Sequence, residues 1–127
     1  MKEYVTNLKL SKQLKEVGVK QESIYRWRSF PNFAELTTLK MNIPNEIEYA
    51  AFISDELLKK LPSEMVTDFN YTLTIEKYDT YYSVCYNHED TDGCYLFDNI
   101  NFLTESLSDA LGEMLLYLIK KELIEVK

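Results

Sequence analysis

The chain has 127 residues, enough for one domain with a single core, and its 46% hydrophobic and 28% charged content excludes a largely disordered protein. A formal net charge of −7 opposes nucleic-acid backbones and anionic membranes on average. The average conceals a dipole: residues 1–28 carry seven basic and three acidic side chains, a local +4, so the rest of the chain sums to −11.

No apolar run reaches the ~18–20 residues that span a bilayer. Lys9, Lys12 and Lys15 interrupt the hydrophobic stretches near the start, where an export signal would need a continuous apolar core. The expected location is therefore cytoplasmic, with Cys85 and Cys94 as reduced thiols.

In chain order, Ser11 is positioned to cap a short helix over residues 12–17, with Leu10, Leu14 and Val17 on one side and Gly18 as its left-handed stop. The aromatic segment 21–30 (Tyr25, Trp27, Phe30) reads equally as a second short helix or as extended chain, ended by Pro31. Partial alternation over 33–53 suggests a hairpin turning at Pro44–Asn45. A clearer helix is expected over 54–61, where Ser54 caps, Asp55 and Glu56 occupy the first turn, Lys59 and Lys60 lie near the end and Pro62 closes it. Strands are expected at 71–78 and 81–86, and a shorter one at 95–97, with 87–93 as a solvated loop.

The last quarter carries the strongest pattern. Leu107, Ala110, Leu111, Met114, Leu115, Leu118 and Ile119 recur at three- and four-residue spacing over 105–122 and put a wide apolar stripe on one helix face. Gly112 inside that stripe costs about 1 kcal/mol of helix propensity. The expected fold is one α+β domain over 1–127: a small antiparallel sheet of three to four strands, covered by a long C-terminal helix and by shorter helices. Apolar and aromatic residues nearly encircle that helix between Met114 and Leu118, Tyr117 included. A second surface must shield them, either a copy of the chain in a homodimer or the N-terminal segment 4–14.

Three blocks, taken together, carry a resemblance: Leu10-Ser-Lys-Gln-Leu-Lys-Glu-Val-Gly-Val-Lys-Gln-Glu-Ser-Ile-Tyr-Arg-Trp27, Tyr49-Ala-Ala-Phe-Ile-Ser-Asp-Glu-Leu-Leu-Lys-Lys-Leu-Pro62 and Glu105-Ser-Leu-Ser-Asp-Ala-Leu-Gly-Glu-Met-Leu115. In this order the chain resembles a group of small uncharacterised proteins of bacteriophages, prophages and gut-type bacterial genomes. The resemblance implies a compact α+β domain of mobile-element origin and, if phage-encoded, the host bacterial cytoplasm as its location. It implies no activity and no catalytic residue.

Candidate sites are few. A helix-turn-helix over 11–28 would use Gly18, Val19, Ile24 and Trp27, with Lys20, Arg26 and Arg28 on phosphates. Its first helix places bulky Leu14 where close packing wants a small residue, so a glycine-capped helix with an aromatic anchor is preferred. Cys85, His88 and Cys94, with Asp90 or Asp92, lack the paired spacing of structural zinc, and Asp90-Thr-Asp-Gly93 fails as a calcium loop. No nucleophile elbow or phosphate loop is present. No metal or cofactor is expected.

Tyr and Trp beside arginines are the residue types of binding hot spots, which makes Tyr25, Arg26, Trp27 and Arg28 the candidate partner or ligand contacts. The leading expectation is a non-enzymatic binding protein of phage or mobile-element origin acting on a host protein, in one version as an anti-defence inhibitor. The alternatives are a DNA-binding regulator using 11–28, and a small enzyme or a small-ligand or nucleotide-binding protein using Tyr25, Arg26 and Trp27.

Overall fold

A computed structural model describes residues 2–38 and 48–126. The chain builds two antiparallel sheets with helices between them. A 3-10 turn, Lys2–Tyr4, leads into α1 (Leu8–Glu16); β1 (Tyr25–Ser29), β2 (Ala34–Thr37) and β3 (Glu48–Ala51) follow. Then come α2 (Ser54–Leu58), β4 (Glu64–Val66), β5 (Asn70–Lys77), β6 (Tyr82–Asp90), β7 (Gly93–Thr104) and α3 (Leu107–Lys120). The α+β class and the C-terminal helix packed on a sheet are as expected. The second sheet is not.

α1 starts one turn before the expected position. Asn7, not Ser11, caps it: the Asn7 side chain accepts the Leu10 N–H at 2.8 Å. Ser11 is buried inside the helix and donates to the Thr6 carbonyl at 3.2 Å. Gly18 ends the segment at φ +92°, as its position implied. Segment 21–30 resolves as extended chain. β1 is the middle strand of a sheet ordered β2-β1-β3, so β2 and β3 each pair with β1 and not with one another. The expected hairpin, turning at Pro44–Asn45, lies outside the described residues.

α2 is shorter than expected, and Ser54 is its first helical residue rather than its cap. The start is held by Glu56, whose carboxylate accepts the Ile53 N–H at 3.0 Å. The same carboxylate takes the Ser23 hydroxyl at 2.7 Å and the Ile24 N–H at 3.1 Å, tying β1's approach to α2. That tie is tertiary and leaves no local trace in the sequence.

The larger sheet runs β4-β5-β6-β7, every neighbour antiparallel. β6 continues through the expected loop to Asp90, and only Thr91 and Asp92 turn the chain before Gly93 at φ +143°. Asn87, His88 and Glu89 stay extended because each faces a partner on β7, in spite of their loop-like composition. Between Phe97 and Ile100 the β7 ladder is irregular, with Asp98 and Asn99 in the left-handed region.

α3 crosses the inner face of this sheet against β6 and β7, with α2 beside it and α1 on its far side; α1 in turn packs on β3. Most apolar residues of α3 are buried within the chain, with Gly112 facing Leu10 and Thr6 of the N-terminal segment and Tyr117 meeting Phe102 of β7. Gly112 sits at the crossing. A Cβ there would lie 2.7 Å from a Leu10 methyl and 3.0 Å from the Thr6 methyl, so the close approach of α1 to α3 requires glycine.

Thr6 joins the halves. Its hydroxyl accepts the Phe52 N–H at 3.1 Å, and its carbonyl accepts the Trp27 indole N–H at 2.8 Å.

Candidate functional site

The four residues singled out from sequence fall on both sides of β1, because side chains alternate along a strand. Trp27 is buried with Val5 and Ala51, and Tyr25 packs partly against the same cluster. Arg26 and Arg28 point to the opposite face. The Arg26 guanidinium lies 2.7 Å from the Glu48 carboxylate; Arg28 is 3.6 Å from the other Glu48 oxygen and 3.7 Å from Glu35. The Arg28 side chain is only 5% exposed. The helix-turn-helix geometry is not formed, since Tyr25–Ser29, where its second helix would run, is a strand. Both arginines face carboxylates of their own sheet, Glu48 largely buried and Glu35 exposed.

The residues considered for a metal also separate. Cys85 and Cys94 lie on the outer face of the large sheet, opposite Asn101 and Glu89, whereas His88 is on the inner face, next to Phe69 and Tyr71. Among the described residues no group of three or more His, Cys, Asp or Glu is placed to hold a metal. Burial, and then the Glu76 and Cys94 charges, push the Cys85 thiol above its ordinary value, which keeps it protonated and unreactive at neutral pH.

The outer face of β4–β7 has a different character. Register places Glu64, Thr72, Asn87 and Leu96 in one row across the strands, Thr74, Cys85 and Asn101 in the next, and Glu76, Ser83 and Leu103 in a third, with Glu89 beside Cys94 at the hairpin end. Three glutamates and no Lys or Arg occupy the strand positions of this face. Its centre is close-packed, with Ser83 and Cys85 buried between the flanking strands and Ser83 donating to Asn101 at 2.6 Å. Its corners expose Val66 (70%) and Leu103 (56%). Thr72, Thr74, Asn87 and Glu89 surround a shallow depression. The face is flat, polar, acidic and edged by apolar side chains, an arrangement suited to holding a surface rather than enclosing a small molecule.

Sequence pattern revealed part of this face: the Thr72, Thr74, Glu76 alternation was legible. Glu64 and Glu89 were missed, since β4 is only three residues long and 87–93 has the composition of a loop. Among the described residues no helix is long and apolar enough to cross a membrane. No family model, curated protein or solved structure matches the chain.

Proposed function

We propose that this chain is a non-enzymatic binding protein, of phage or mobile-element origin, that acts on a host protein by setting the outer face of β4–β7 on a basic surface of that partner. The observation that carries the reading is the charge of the face: Glu64, Glu76 and Glu89 with no basic side chain among the strand positions. Complementary charge steers encounter and fixes orientation, while Val66 and Leu103 offer apolar area at the corners. In the anti-defence form of this reading the glutamates occupy a groove that otherwise takes nucleic-acid phosphates. A DNA-binding role draws no support from the small sheet, where Arg26 and Arg28 face Glu48 and Glu35.

The test is affinity capture from host lysate with the native chain and with the triple variant Glu64→Lys, Glu76→Lys, Glu89→Lys. All three side chains are exposed, so the variant should keep its melting temperature. The reading expects one stoichiometric protein that the native chain retains in low salt and the variant does not. Equal retention of that protein by both chains overturns it.

A further inference from the structure

The inner face of the large sheet extends past the end of the α3 packing into an aromatic corner. Phe69, on the turn between β4 and β5, stacks on His88 with centroids 4.6 Å apart at 15° and lies parallel to Tyr95 at 6.2 Å. Tyr71, itself buried, meets His88 and Phe97 edge-on and supports the stack from within. The outer rings stay open: Phe69 is 43% and Tyr95 41% exposed.

Three carboxylates rim the rings, each held in place. Asp68 accepts the Thr67 hydroxyl at 2.7 Å and the Phe69 N–H at 3.0 Å, which also fixes the turn that carries Phe69. Asp98 accepts the Tyr117 hydroxyl at 2.6 Å. Asp90 uses one oxygen on the Asp92 N–H at 2.8 Å, and its other oxygen lies 3.6 Å from His88 Nε2.

The imidazole sharpens the chemistry. His88 Nδ1 is 3.1 Å from the Asn70 carbonyl oxygen, which can only accept, so Nδ1 carries the proton. In the tautomer that keeps this proton and leaves Nε2 bare, Nε2 is an acceptor beside the Asp90 oxygen 3.6 Å away. Two acceptors side by side, next to open ring faces, form a slot for a donor that is planar and positively charged. Ring faces are electronegative and attract cations, and a guanidinium can stack on a ring while its edge donates to a carboxylate. A nucleotide could also stack here, but its phosphates would meet Asp68, Asp90 and Asp98.

We propose that the Phe69–His88–Tyr95 corner is a binding site for a guanidinium group, presented by an arginine side chain of a ligand. The site is on the opposite face of the sheet from the glutamates and stands independently of the docking proposed for them.

His88 is the only histidine in the chain, so its ring signals are unambiguous in a nuclear magnetic resonance titration. The probes are N-acetyl-arginine amide and its neutral isostere N-acetyl-citrulline amide, added in mildly alkaline buffer. The arginine probe should shift the His88 and Tyr95 ring signals saturably; the citrulline probe should not. Asp90→Asn and Tyr95→Leu should each weaken the arginine probe by about threefold or more, and Tyr78→Leu, outside the corner, should leave it unchanged. No saturable shift up to tens of millimolar, equal shifts with citrulline, or unaltered affinity in both corner variants would overturn the proposal.

Discussion

The two sheets of this protein spend their polar side chains in opposite ways. In the three-stranded sheet one face buries Trp27 and the other folds its charges inward, with Arg26 and Arg28 against Glu48 and Glu35. In the four-stranded sheet one face is covered by α3, and the other leaves three glutamates in solvent without a basic neighbour among its strand positions. Charges paired inside a protein serve its geometry; charges left in solvent on an open face add little to stability. The open face is therefore where function is sought, although the aromatic and arginine content of segment 25–28 drew attention to the other sheet.

The largest effect tests the shared core. Leu111 is fully buried on α3, and Leu111→Asp places an unpaired charge there, so the chain should be unfolded at 25 °C by circular dichroism. A folded variant would mean that α3 does not pack as described.

Next in size is Glu48→Ala, which leaves Arg26 and Arg28 without the carboxylate between them. Breaking so buried a pair costs about 3 kcal/mol. Trp27, the sole tryptophan, lies on the same strand and reports this sheet together with its junction to the N-terminal segment. Its fluorescence should change at lower denaturant than the helical circular dichroism signal, separating two transitions that coincide in the native chain.

Gly112→Val drives a branched side chain against Leu10 and Thr6 at the contact between α1 and α3. The expected loss is about 2 kcal/mol by equilibrium denaturation, in spite of the helix propensity gained.

The smallest effect has the opposite sign. Burial, and then the Asp109 charge, lift the Glu113 carboxyl above its ordinary value of 4.5. The folded state then binds the proton more tightly than the unfolded chain, so stability falls as pH rises from 4.5 through the raised value. Glu113→Gln should raise the melting temperature slightly at pH 7, an effect reduced by solvent screening of this partly exposed group, and change it less near pH 4.

How much of this was legible follows the same division. The large sheet and α3 could be read because their signals are local: alternation in β5 and β6, a three- and four-residue period in α3. The small sheet was obscure because β1 is a middle strand whose partners come from 34–37 and 48–51, and its arginines look like surface groups until Glu48 is brought beside them. The end of β6 was hidden for a related reason. Asn87–His88–Glu89 has loop composition, and Leu96, Tyr95 and Cys94 of β7, with Thr72 of β5 beside Asn87, make it a strand. Glu89 could not be placed on the open face without that pairing, nor Glu64 without the pairing of three-residue β4 with β5.

The central claim is that the outer face of the large sheet touches the partner and the small sheet does not. A photo-crosslinking residue at Thr74, in the middle of that face, and another at exposed Phe33, beside the small sheet, compare the two directly in host cells. The account predicts a single discrete adduct from position 74 and none from position 33. An adduct from position 33 with none from position 74 would contradict it.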